Sequence, residues 1–292
     1  MIIFIILLIF NSLFNLHSLM QCIDSSLYMF LYKVFPSFFI FYIISIYLFK
    51  KNILFKISFV LKPFFSFENN KSYELLLLSF LISNPSTIII AKDCFHSNLI
   101  SKKDLNKLLY LSIFMNPIFL LSFFNYNFVL IIFLIQFLII YVIDKFFPLS
   151  PSSSKNSFYN INSINIISSS FKDLSYSTLI IAFSICFMNL IKQSIINIVD
   201  IDIIKLLTAF LEVSSGLSFL LENDSLFLLK YPIILFLITF QGLAINLQVY
   251  SILYEENSII NYKKAIIIRL IESMIAFIIY LLFSYIATSL LP

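Results

Sequence analysis

Long apolar runs separated by short polar stretches recur along the whole chain, at about 1–19, 28–49, 74–92, 108–124, 128–147, 175–198, 203–221, 226–253 and 265–289. Each is close to the roughly 20 residues that an α-helix needs to cross a bilayer core, so the pattern predicts an all-α polytopic membrane protein. Two runs are interrupted at their centres. The run 74–92 contains Ser83-Asn84-Pro85-Ser86-Thr87, and the run 203–221 contains Glu212-Val213-Ser214-Ser215-Gly216. Proline removes a backbone donor and drives the preceding residue out of the helical region. Read as hairpins, their first arms extend about 16 and 14 Å at about 1.5 Å per residue, stopping near the middle of a core about 30 Å thick.

Lysine placement decides between hairpins and full spans. With both runs as hairpins, the loops 50–71, 92–107, 145–172 and 263–264 share one side and hold 14 lysines. The opposite loops, 20–27, 125–127, 199–202 and 222–225, hold none, and carry Asp24, Asp200, Asp202, Glu222 and Asp224. Two full spans would instead split the lysines 7 to 7. Since Lys/Arg bias sets orientation, the hairpins are favoured, and Lys33, Lys205 and Lys230 near the far side change the ratio only to 14 against 3. The expected protein has about seven spans plus two re-entrant helical hairpins in an inverted repeat, with a cytoplasmic N-terminus and the C-terminus outside.

The chain divides accordingly. Residues 1–73 hold two spans and an amphipathic interfacial helix at Asn52–Phe67, where Lys56 and Lys62 interrupt apolar residues. Residues 74–147 are the first repeat, with a hairpin, a broken span and a span. Residues 148–202 hold a Ser/Asn-rich flexible loop, Pro148–Asp173, and a linking span. Residues 203–292 repeat the first order of elements. The span after each hairpin is interrupted too, at Asn116-Pro117 and at Gln241-Gly242. Irregular backbone at membrane depth survives only where it is buried in protein or lines a polar cavity. Four breaks at similar depth are the arrangement expected of a secondary transporter.

Composition sharpens this picture. At 61% hydrophobic, 12% charged and mean hydropathy +1.01, the chain lies far from the roughly 45–50% apolar and 25% charged of soluble domains. Its abundant Ile, Phe, Asn and Lys, absent Trp and single Arg look like a coding bias. Two glycines, Gly216 and Gly242, exclude a glycine-rich nucleotide loop or a glycine-zipper bundle. The net charge of +4 resides in loop lysines and does not point to nucleic acid. Cys22, Cys94 and Cys186 lack disulfide or zinc spacing, and His17 and His96 have no partners at ligand spacing, so neither metal nor cofactor is expected. Nor is there a nucleophile, base and orienter set for an enzyme. Met1–Leu19 lacks a basic n-region and a cleavage site, and no small residue precedes Cys22, so this run is expected to stay as a span.

The candidate binding groups follow from the breaks. Glu212, about 14 Å along its arm, is placed to bind a coupling proton or sodium ion, against the alternative of a structural acid holding the hairpin. Ser83, Asn84, Ser86 and Thr87 around Pro85 form a helix-start tip whose N–H groups favour a carboxylate. Ser214 and Ser215 stand at the second tip. Asn116 beside Pro117, and Gln241, Asn246 and Gln248 around Gly242, offer donors and acceptors to a substrate or to neighbouring helices. Asn246 and Gln248, two apart, cannot both face one cavity from an unbroken helix. Arg269 and Glu272 are read as a structural pair with Arg269 snorkelling to the cytoplasmic surface, and Lys192 as a snorkelling residue near its outer end.

The residues at these breaks carry a family resemblance. Val34-Phe35-Pro36-Ser37-Phe38-Phe39, Ser83-Asn84-Pro85-Ser86, Ile100-Ser101-Lys102 and Asn116-Pro117-Ile118-Phe119 resemble the first half of the YlbJ-type sporulation integral membrane proteins. Leu211-Glu212 with Gly216, Phe240-Gln241-Gly242-Leu243 with Gln248, and Arg269-Leu270 resemble the second half. These proteins carry the nucleoside recognition (Gate) domain and are similar in hairpin arrangement to concentrative nucleoside transporters. The family's first tip has glycines where this chain has Ser83 and Thr87. The resemblance implies a protein of the outer forespore membrane that moves dipicolinate, a small anionic substrate, into the developing spore. Two alternatives stand beside it: a nucleoside transporter, and a membrane scaffold for sporulation proteins whose breaks are relics.

Overall fold

The computed structural model describes residues 11, 14–149, 163–199, 201–223, 229–254 and 260–289, with side chains of the long helices described over 174–199 and up to 285. Among the described residues there is no strand. Five helical stretches are long and apolar enough to cross a membrane: Leu16–Lys50, Tyr126–Phe146, Leu174–Ile198, Lys230–Ile252 and Tyr262–Tyr285. Their outward faces are apolar as well. On Tyr126–Phe146 the exposed residues Leu130, Leu134, Leu138 and Val142 recur every four positions, while Ile132, Gln136, Ile139 and Ile143 are buried. A helix apolar on both faces suits lipid rather than water, and the chain is a multi-pass membrane protein.

The first long helix corrects an expectation. Leu16–Met29 (α1) runs through a π turn at Phe30–Val34 into Phe35–Lys50 (α2), so 20–27 is helical rather than a loop between two spans. The π turn lies where Pro36 requires it: a ring at that position clashes with the carbonyl four residues back, and the wider turn relieves the clash. Polar residues of α1 turn to a partner instead of to water. Asn11 donates to the Ser194 carbonyl at 3.0 Å, and Asn189 donates to Ser26 Oγ at 3.0 Å, both on Ser163–Ile198 (α9). Residues 1–10, 12 and 13 of the expected first span lie outside the described residues. Helix α9 begins at Ser163, inside the segment expected to be a flexible loop; 150–162 lie outside the described residues.

The expected interfacial segment is helical over Ile53–Ser58 (α3), burying Leu54, Ser58 and Leu61 and exposing Ile57 and Val60. Asn70–Ile82 (α4) and Ser86–His96 (α5) pack against each other across a break at 83–85. Both ends of this pair lie together. Asp104, just past α5 on Lys102–Leu111 (α6), accepts from the backbone N–H groups of Glu68 and Asn69 at 2.9 Å each and from Ser72 Oγ at 2.6 Å. Chain continues through an extended stretch, 112–116, to the short helix Pro117–Leu121 (α7) and then Tyr126–Phe146 (α8). After α9 come Asp202–Ala209 (α10) and Val213–Glu222 (α11), then Lys230–Phe240 (α12) and Gly242–Ile252 (α13), and Tyr262–Ser289 (α14).

Buried charge ties one end of the bundle together. Lys107, 1% exposed, forms an ion pair with Asp144 of α8 at 2.5 Å and donates to the carbonyls of Ser66 and Phe147. Lys145 reaches the Phe64 carbonyl, Lys264 lies over the Phe147 ring, Lys71 reaches Asn52, and Lys103 pairs with Glu68. The Lys103 ammonium, by its hydrogen bond, holds the Glu68 carboxyl below its usual range. The loops around 50–71, 97–107, 144–149 and 260–264 therefore meet at one lysine-rich end. Helix α1 pairs with the C-terminal part of α9 at the other end, where α10 begins. The α4–α5 pair thus begins at the lysine-rich end and the α10–α11 pair at the other.

Removing one member of a buried ion pair strands the other, at about 3–5 kcal/mol, whereas apolar replacement of both is often neutral. Lys107→Met should markedly lower the thermal midpoint followed by circular dichroism in detergent, and Lys107→Met combined with Asp144→Leu should recover most of the loss.

Candidate functional site

Four chain interruptions converge, each with a local cause. At the first tip Ser83 has φ 56° and ψ −177°, a conformation in which glycine is at ease and serine is strained. Thr87, at the second position where the resembled family has glycine, is accommodated by returning its hydroxyl to the Ser83 carbonyl at 2.9 Å. In the broken span, Pro117 starts a new helix, and Asn116 caps it by accepting from the N–H groups of Ile118 and Phe119 at 2.9 and 3.2 Å.

In the second half, Glu212 is the N-cap of α11. Its carboxylate accepts from Ser214 N–H at 2.9 Å, Ser214 Oγ at 2.6 Å and Ser215 N–H at 2.7 Å. Gly216 sits one turn further, where a Cβ would collide with the Ala209 carbonyl oxygen. Gln241 and Gly242 both have φ 64°. The two breaks dock end to end: the N–H groups of Leu243 and Ala244 donate to the carbonyls of Phe210 and Leu211 at 3.0 and 2.9 Å. Helix-end donors of α13 thereby satisfy helix-end acceptors of α10.

These elements enclose a narrow cavity of about 60 Å³, well below the roughly 300–1,000 Å³ of small-molecule sites, so this arrangement is a closed one. Ser83, Asn84, Pro85, Asn116, Glu212, Ser214 and Gln248 all line it, with Ser37 from the start of α2. Apolar walls come from Val34, Phe38, Met115, Phe119, Ile181 and Ile185 among others. The starts of α5, α7 and α11 face this space. Asn116 and Glu212 cap two of them; α5 has no side-chain cap, and Ser86 Oγ, fully buried, has no partner. Gln248 donates to Ser184 Oγ while its own Oε1, also buried, has no partner.

The remaining candidates stand beside the cavity rather than in its wall. Gln241 belongs to a buried brace: Asn84 Nδ2 donates to the Ser112 carbonyl at 2.8 Å and to Gln241 Oε1 at 3.1 Å, and Gln241 Nε2 donates to the Phe114 carbonyl at 3.0 Å. Asn246 recaps its own break, donating to the carbonyls of Phe240 and Gly242. On the unbroken α13, Gln248 accordingly faces the cavity and Asn246 does not. Ser215 meets Lys192 Nζ at 3.4 Å, so Lys192 turns inward to the second tip instead of snorkelling outward.

Arg269 overturns its reading as a snorkelling side chain. It is 3% exposed and donates to Gln241 Oε1 at 2.9 Å and to the carbonyls of Leu109 and Ser112 at 2.6 and 3.2 Å. Sequence reasoning missed this, and also Ser112, Lys107 and Asp144. One signal was available for Arg269: it is the single arginine among 18 lysines, and only a planar guanidinium serves several fixed acceptors at once. Ser112 carried no such signal. The cysteines are free, and among the described residues no cluster of three or more His, Cys, Asp or Glu groups forms a metal site. Comparison with protein-family models, curated proteins and solved structures returned no match.

A buried donor or acceptor left without its partner costs about 1–3 kcal/mol, and Gln241 serves Asn84, Arg269 and two carbonyls together. Gln241→Leu should lower the thermal unfolding midpoint in detergent by an amount in or above that range. An unchanged midpoint would show that the brace contributes nothing to stability.

Proposed function

We propose that the chain is a membrane transporter or facilitator of a small aromatic dicarboxylate, dipicolinate delivered to the forespore in the reading that the family resemblance implies. The observation that carries this is the cavity itself: residues from three of the breaks and from α13, which follows the fourth, separated by up to 165 positions from Ser83 to Gln248, line one space. Widened by movement of the tips, the wall would offer a flat ring apolar faces, with Asn84, Asn116 and Gln248 at its edge. The start of α5 has no side-chain cap, and its dipole favours a substrate carboxylate, although the N–H groups of Thr87 and Ile88 already donate to the Ser83 and Pro85 carbonyls.

In this reading the lysine-rich end is cytoplasmic, the α4–α5 and α10–α11 pairs are re-entrant hairpins of an inverted repeat, and the C-terminal end of α14 lies outside. Asn11 lies beside Ser194 at the outer end, and residues 1–10, on which the expected cytoplasmic start rests, lie outside the described residues. Glu212 supplies coupling. Its charge repels an anion sharing the cavity, so loading requires a proton or sodium ion on Glu212, or the ammonium of Lys192 turned toward the tip.

A second reading draws support from the same wall: its one charged group is an acid, with amides around it, and this suits a neutral nucleoside. Proteoliposomes separate the two. Labelled dipicolinate should accumulate inside, excess uridine should not compete, and Glu212→Gln should abolish uptake or remove its dependence on a proton or sodium gradient. Uridine uptake without dipicolinate uptake would establish the second reading.

A further inference from the structure

Glu272 lies in the middle of α14, fully buried, and neither carboxyl oxygen has a hydrogen-bond partner. One turn before it on the same helix stands Arg269, whose guanidinium is spent on Gln241 and on the carbonyls of Leu109 and Ser112. An ionised carboxylate sealed from water without a donor is strongly disfavoured. The arrangement is therefore that of the neutral acid, with Arg269 left free to hold the brace.

We propose that Glu272 is a second protonation site, distinct from Glu212, and that its ionisation draws Arg269 off Gln241 and Ser112 and so loosens the junction of the broken helices. Residues three apart on a helix face one another, so Arg269 is the donor that an ionised Glu272 would recruit. Arg269 cannot serve both states at once. Because Gln241 and Ser112 also hold Asn84, which lines the cavity, the proton on Glu272 sets whether the first tip is braced. A proton rather than a sodium ion fits the site, since the fixed charge of Arg269 repels a metal cation.

The groups facing Glu272 are few. From α6, Tyr110 interacts with it electrostatically, and Tyr110 also lines an open cleft with Lys102 and Lys264 at the lysine-rich end. From α8 the nearest ionisable pair is Asp144 with Lys107, already joined. The ionisable groups of α12, Lys230 and Tyr231, lie at its far end, Lys230 on the Leu221 carbonyl and Tyr231 beside Tyr280.

This inference gives the proposed transporter a second proton-linked group, and its test does not depend on transport. Infrared difference spectra of the purified protein over a pH series should contain a protonated carboxyl band that Glu272→Gln removes and Glu272→Asp retains. Hydrogen exchange at 112–116 and 241–244, corrected for the chemical rate, should lose protection with rising pH in the parent protein by up to roughly tenfold per pH unit, the limit for one titrating group. In Glu272→Gln it should stay flat and protected. A carboxyl band unaffected by Glu272→Gln, or the same pH response in both proteins, would overturn the proposal. Vesicles that take up no dipicolinate would sink the transport reading alone, with the spectra and exchange still deciding Glu272.

Discussion

Every break in a helix frees carbonyl and N–H groups, and within a bilayer no solvent is present to receive them. That constraint organises this protein. Four breaks are tolerated because each one's exposed groups are taken up by another's: Asn84 and Gln241 by Ser112, the start of α13 by the end of α10, and the loose ends of 109–112 by Arg269. The convergence of the breaks is thus a condition of their existence. An isolated break would face lipid with unsatisfied backbone, whereas four together form a polar centre that satisfies most of its own groups and leaves a cavity beside it.

The long apolar runs were legible in the sequence because they are set by composition over about 20 residues, and the positions of the breaks were legible because Pro85, Pro117 and Gly242 mark them chemically. The loop expected at 20–27 was not a loop for a reason outside local composition: Ser26 is satisfied by Asn189 of α9, 163 residues away. Local polarity signals only that a partner is needed. It does not say whether the partner is water or a distant helix. The same limit hid Lys107, which reads as one more loop lysine until α8 brings Asp144 to it.

Glu212 has a structural task that stands whatever else it does. Its three accepted hydrogen bonds make it the cap of α11, a structural task. It also lines the cavity, so any ligand that binds there meets the group on which the tip's geometry depends. Protonating the carboxyl, or placing a cation on it, weakens its hold on the N–H groups of Ser214 and Ser215. Occupancy of the site and the shape of the hairpin tip are then linked through a single side chain, with no separate relay needed.

Arg269 extends that linkage to the other half of the molecule. Its guanidinium joins carbonyls at the end of α6 to Gln241 between α12 and α13, elements about 130 residues apart in the chain. Lysine could satisfy one such acceptor as a point charge but could not fork to several in fixed directions. In a chain that otherwise uses lysine for every positive charge, the geometric demand at this junction accounts for the exception. A cavity walled by α4–α5 on one side and α10–α11 on the other widens only if these pairs move relative to one another, and Arg269 is a contact that such movement must break or carry with it.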